Sequence, residues 1–277
     1  MLEKLKALLK LTHSEVSLNK KTPVIITVHG YGRRRKHEMD HFALWAKNDP
    51  TMKQFEVIQF DLYDLFDETD CDWQKWVGRA KTIVSEQELL GKDIYLIGFS
   101  MGGVIASYLA ATCAGVKKLV LLAPAFQYLN VDAITSAITK GASSLFAGSD
   151  SSGAKNEIEI PKSFYSAFTG IIKNLKSYIS AVTCPVLLLH GDEDEVISVK
   201  SSIYAYERIP HNNKKLLILH GGHHRLLMDK AVNQEVYRMI CLFIHNQIVV
   251  DQGFPEAEDI LDVYEREGRN QKKTSDA

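Results

Sequence analysis

The chain has no uninterrupted apolar run near the roughly 18 residues that a membrane span needs, so its hydropathy predicts no stable membrane insertion. Cysteine is scarce. The four present, Cys71, Cys113, Cys184 and Cys241, stand far apart with no C-x-x-C pair, which argues against a disulfide framework and fits a reducing, cytoplasmic setting. An excess of either charge is missing too. Lys and Arg number 33 against 34 Asp and Glu, a net charge of −1, so no attraction to nucleic acid is expected. The one basic run, "RRRKH" at residues 33–37, reads as a solvated loop or helix start. A signal peptide is not expected, because charges interrupt "MLEKLKALLKL" and no small-residue cleavage site follows. Residues 1–20 instead predict an amphipathic helix that packs Leu2, Leu5, Leu8 and Leu9 against the domain. There is no internal repeat.

What is present is ordinary globular composition, 45% hydrophobic and 24% charged, in 277 residues that suit one large domain. Short β-branched runs predict strands at 23–30, 55–62, 93–100, 116–124, 185–194 and 215–222. Helical patterns lie at 38–47, 73–90, 101–114, 200–208 and 227–245. Near-continuous Val/Ile/Leu strands separated by helices predict an α/β fold with a mostly parallel sheet, helices on both faces and right-handed crossovers. Residues 125–181 break this rhythm. Strandless, and carrying apolar positions such as Phe126, Phe164, Phe168 and Ile171, they predict a small helical cap inserted after the fourth strand and closing an apolar pocket. The main domain is expected over 21–250. The charged, core-poor tail at 251–277 reads as one short helix at most, then disorder.

The chemistry starts at "GFSMGG". Ser100 follows a buried-strand pattern and precedes a small-residue helix, the strand–turn–helix setting of a nucleophile elbow. Gly98 and Gly102 leave room for such a turn, and Gly103 lets the helix approach closely. A serine needs a base, and the base needs an acid. "HGDEDEV" offers Asp192, Glu193, Asp194 and Glu195. Asp194, just before apolar Val196, is best placed to turn inward, with Asp192 next. "LHGGHHRLL" offers His220, His223 and His224. With no H-E-x-x-H present and glycines placing them in a loop, the histidines predict a general base, His223 or His224, and no metal site. Two backbone N–H groups, those of Met101 and of Tyr31 in "HGYG", are candidates for an oxyanion hole, with the Tyr31 side chain at the pocket mouth.

In this order, "HGYG", "GFSMGG", "HGDEDEV" and "GGHHRLL" resemble the α/β-hydrolase family, in particular small bacterial carboxylesterases and monoacylglycerol-lipase-like serine hydrolases, over about residues 21–250. The resemblance implies Ser100 as nucleophile, Asp194 as acid, and Tyr31 and Met101 as oxyanion donors. The family's G-x-x-H loop, followed here by Arg225 and Leu226, implies His224 as the base. The activity implied is hydrolysis of a small-molecule carboxylic ester through an acyl-enzyme, with short- to medium-chain or aromatic acyl groups and no cofactor. Thioester or monoacylglycerol hydrolysis is the alternative, and a non-catalytic binding protein of the same fold is the more distant one.

Overall fold

The computed structural model describes residues 21–31, 38–64, 66–127 and 162–248. The helix expected within 1–20, the basic run at 33–37, residues 128–161 of the expected cap and the tail lie outside the described residues. Six strands form one sheet: β1 (Val24–Val28), β2 (Glu56–Gln59), β3 (Ile94–Phe99), β4 (Val116–Leu122), β5 (Val186–Gly191) and β6 (Lys214–Leu219). Their order is β2-β1-β3-β4-β5-β6, and every neighbouring pair is parallel. The helices are α1 (Glu38–Asn48), α2 (Trp73–Leu89), α3 (Met101–Thr112), α4 (Lys162–Leu175), α5 (Lys200–Arg208) and α6 (Asn233–Ile244), with a 3-10 segment at Lys176–Ala181.

The inner strands are largely apolar on both faces because both are covered, whereas the edge strands β2 and β6 are only partly buried. In β1, Val24, Ile26 and Val28 join one core with Trp76 of α2 and Ile105 of α3. Between them Ile25 points the other way, into a second core with Phe42 of α1 and Ile240 of α6. All four of these apolar β1 side chains are fully buried. Each such burial contributes about 1.5–3 kcal/mol, which makes the strand register costly to shift by one residue.

Two expectations change. The helix expected from residue 227 begins at Asn233, although Leu226 and Leu227 are both buried. Residues 225–232 form turns, because Asp229 accepts from Ala231 N–H with Oδ1 (2.9 Å) and from His223 N–H with Oδ2 (2.8 Å). Asp229 thereby ties the chain to the preceding histidine loop instead of starting a helix. The apolar residues read as cap lining are used differently as well. Phe164, Phe168 and Ile171 of α4 and Phe126 all lie in the first core. α4 packs so closely that a Cβ on Gly170 would come within 2.6 Å of the Trp73 ring. Among the described residues, no helix is long and apolar enough to cross a membrane.

Candidate active site

Parallel strands all deliver their C-terminal ends to one edge of the sheet, and the candidate residues follow those ends. Ser100 joins β3 to α3. Its φ of 52° and ψ of −121° are a strained combination for a residue with a Cβ, of the order of 1–3 kcal/mol. The surroundings impose it: Ser100 N–H donates to Leu122 O (2.9 Å), and its carbonyl accepts from Gly103 N–H (3.0 Å) and Ala125 N–H (3.1 Å). The flanking glycines are steric necessities. A Cβ on Gly98 would lie 2.6 Å from Gly102 O, and one on Gly102 would lie 2.2 Å from Val28 O. The serine side chain makes no capping bond to its own helix.

Met101 is the first residue of α3, so its N–H has no intrahelical acceptor and lies at the positive end of the helix dipole. Tyr31 follows β1. Here His29, to which the sequence pattern alone assigns no role, sets the geometry. His29 Nε2 accepts from Leu62 N–H (2.9 Å), so Nδ1 carries the proton and donates to Gly30 O (2.7 Å). Tyr63 Oη donates to the same carbonyl (3.3 Å). In a trans peptide the N–H points opposite the C=O, so fixing Gly30 O fixes the direction of Tyr31 N–H. The Tyr31 side chain does not sit at a pocket mouth. It is buried against Phe168 of α4, ring centroids 5.3 Å apart, because α4 is packed into the core there. That burial, with Tyr63 and Tyr165 nearby, raises its phenol well above the ordinary value.

Asp194 and His224 are brought together and the competing residues are not. Asp194 Oδ2 lies 2.8 Å from His224 Nδ1, with both side chains nearly inaccessible at 1% and 3%. A ring nitrogen facing a carboxylate carries the proton, so His224 Nε2 is left as the basic atom. Asp194 Oδ1 accepts from Val196 N–H (2.9 Å) and Ile197 N–H (2.7 Å). Burial alone would raise the Asp194 carboxyl, but His224, His190 and the Ile197 amide outweigh it and hold it well below the usual carboxylate range. The His224 ring packs on Phe99, centroids 4.9 Å apart, which places the imidazole beside the residue preceding Ser100.

Asp192, by contrast, bonds His220 Nδ1 (2.8 Å) and Gly221 N–H (2.7 Å), and His220 is 96% exposed. His223 is 55% exposed and turns its ring to Glu193 O (3.2 Å). The three histidines thus face three different partners. Among the described residues, no three His, Cys, Asp or Glu side chains converge as a metal site.

Glu38 also escaped sequence reasoning. Its buried carboxyl accepts from Leu227 N–H and lies 3.7 Å from Arg225 Nε, bracing the loop that carries His224. Burial, opposed by the Leu227 amide and Arg225, raises it to about 7.

A cleft of about 840 Å³ is bounded by Phe126, Lys173, Asn174, Lys176, Ser198 and Lys200 among others, and the side chains of Ser100, Asp194 and His224 do not line it. Phe126 follows the Ala125 amide that holds the Ser100 carbonyl, and Ser198 follows the turn that holds Asp194. The cleft lining mixes apolar groups, such as Phe126 and Ile172 of α4, with polar side chains of α4 and the amine of Lys200.

A family model described as serine aminopeptidase, S33 (Hydrolase_4) matches residues 71–160 and 155–231, more than half of the chain. A bromoperoxidase from Bacillus anthracis superimposes with a TM-score of 0.64 at 18% identity, covering 81% of this chain and 92% of that one. Est1E from Butyrivibrio proteoclasticus gives a TM-score of 0.58 at 21% identity over 83% of this chain and 90% of that one. A monoacylglycerol lipase from Paleococcus ferrophilus gives 0.58 at 16% identity over 80% and 95%. At these identities the likeness is one of fold. Alpha/beta hydrolase domain-containing protein 17C of Xenopus tropicalis is 42% identical over 59 residues, a stretch that spans 21% of this chain and only 17% of that protein.

Proposed function

Since the chain belongs to the serine aminopeptidase S33-like family of α/β-hydrolases, we propose that it is a serine hydrolase cleaving carboxylic esters through an acyl-enzyme on Ser100. The observation that carries this reading is the strained elbow at Ser100 combined with a buried Asp194–His224 pair packed on Phe99. His224 Nε2 takes the Ser100 proton as Oγ attacks the ester carbonyl, and later gives it to the leaving alcohol. Asp194 keeps the imidazole in its Nδ1–H tautomer and stabilises its charged form. Tyr31 N–H and Met101 N–H stabilise the oxyanion, each worth about 10²–10³ in rate by analogy with other oxyanion donors. Water then repeats the sequence and frees the acid.

The proposed substrates are small esters with short- to medium-chain or aromatic acyl groups, with thioesters and monoacylglycerols as alternatives. A p-nitrophenyl ester series with fluorophosphonate labelling tests the reading. Ser100→Ala should abolish both turnover and labelling while the protein stays folded. Turnover that survives this substitution would sink the mechanism, and a wild-type protein that neither turns over esters or thioesters nor labels would point to a binding protein.

A further inference from the structure

Asp194 is contacted by a second histidine that the mechanism above does not use. His190, the fifth residue of β5, is fully buried. Its Nε2 lies 2.9 Å from Ile197 O and 3.1 Å from Asp194 Oδ2. Both neighbours are acceptors only, the carboxylate being ionised, so Nε2 carries a proton shared between them. On the far side, His190 Nδ1 lies 2.7 Å from Ser202 Oγ, also fully buried, in the first turn of α5.

We infer that His190 is a positioning residue for the proposed reaction: with Ser202 behind it, it fixes the orientation and charge of the acid that His224 depends on. The inference rests on the assignment of Asp194 and His224 in the proposed mechanism. Geometry gives His190 two effects. It closes the 194–197 turn through Ile197 O, the same turn whose amides hold Asp194 Oδ1. It also draws charge off Oδ2, the oxygen that meets His224. Ser201, next to Ser202, donates to Pro124 O (2.5 Å) and accepts from Gln127 N–H (3.0 Å). The first turn of α5 therefore braces the β4 exit, where Ala125 holds Ser100, and the acid turn at once.

The ring nitrogens allow a clean test. In His190→Gln the amide nitrogen falls near the Nε2 position and its two hydrogens can serve Ile197 O and Asp194. In His190→Asn it falls near Nδ1 and reaches Ser202 alone. Loss of a donor concentrates charge on Asp194 Oδ2 and so favours the His224 imidazolium, moving the acid limb of kcat/KM to higher pH. His190→Asn should show that displacement with kcat lowered ~10–100-fold and KM nearly unchanged, the scale expected for misplacement of about 1 Å. His190→Gln should stay close to wild type in both respects.

The other charged groups around the pair are left in place. These are Glu195 at the His224 N–H (3.3 Å), His223, Asp229, and Arg225 with Glu38. His224 titration followed by NMR reads the same displacement in protein without turnover, which separates failure of this inference from failure of the esterase reading. Ser202→Ala, which disturbs only the far contact, decides the matter if His190→Asn does not fold: a smaller displacement in the same direction supports the role. Equal behaviour of the Gln and Asn variants, or an unmoved His224 titration in a folded variant, would overturn it.

Discussion

α3 and the end of β1 approach each other closely at Gly102. A Cβ there would stand 2.2 Å from Val28 O and 2.3 Å from His29 O, and both neighbours are backbone atoms. A comfortable C···O contact needs about 3.3–3.6 Å, so Gly102→Ala must open this gap by ~1 Å. The two proposed oxyanion donors sit on opposite sides of it, Met101 N–H at the start of α3 and Tyr31 N–H just beyond β1. The substitution should therefore lower kcat by ~10² with a smaller effect on KM, the penalty typical of a 1 Å misplacement. Overpacking should also cost about 1–3 kcal/mol, or several degrees of Tm in a chain of this size.

Gly78 provides the control. It lies within α2, and a Cβ there meets nothing within 4 Å. Gly78→Ala should leave kcat unchanged and raise stability by about 0.5–1 kcal/mol through helix propensity. Steady-state kinetics on a p-nitrophenyl ester and thermal melts of both variants supply the measurements. A Gly102→Ala enzyme with wild-type kcat and Tm would show that the two donors are not set by this contact, and the oxyanion geometry argued above would fall with it.

For the base, His224→Ala should lose at least ~10³ in kcat while His223→Ala stays within a few-fold, since triad members act as a unit; the reverse result would move the base one residue back. Glu38 predicts a stability slope. Its folded pKa of about 7 lies above the ordinary 4.5, so its contribution is intact below about 4.5 and lost as pH rises through 7. The loss amounts to ~3 kcal/mol. Denaturant midpoints should thus fall between pH 5 and 8 in the wild type and fall less in Glu38→Gln; identical slopes would refute the assignment.

The sheet was legible in the sequence because buried parallel strands need uninterrupted β-branched runs, as in "VIITV" of β1 and "VLLLHG" of β5. The elbow was legible because Gly98 and Gly102 are the only residue type that its packing admits. Asp194 stood out because one carboxylate in "HGDEDEV" had to turn toward the apolar residues after it. The start of α6 was not legible. Leu226 and Leu227 fit a helical stripe equally well, and only Asp229, bonded back to His223, shows why the chain turns there instead. Glu38 was hidden for a related reason. An acid in the first turn of a helix looks like an exposed helix-start residue, and its burial follows from Leu227 and Arg225, nearly two hundred residues away.

One faint signal for the supporting residues was present. The dipeptide His-Gly closes three strands, as His29-Gly30 after β1, His190-Gly191 in β5 and His220-Gly221 after β6, and the imidazole is buried in the first two while His220 is 96% exposed on Asp192. A strand leaving the core must satisfy its last backbone groups while the chain turns, in a place too buried for water. A neutral imidazole suits this task because it is rigid, needs no charge when buried, and offers one donor and one acceptor about opposite each other. His29 accepts from Leu62 N–H and donates to Gly30 O, joining the exits of β2 and β1. His190 donates toward Ile197 O and Asp194 and meets Ser202 on its other nitrogen, joining β5 to α5. An Asn in either place would span one of these partners and a Lys would bring a charge. The same device thus orients the amide proposed to stabilise the oxyanion at one end of the site and the acid proposed to hold the base at the other.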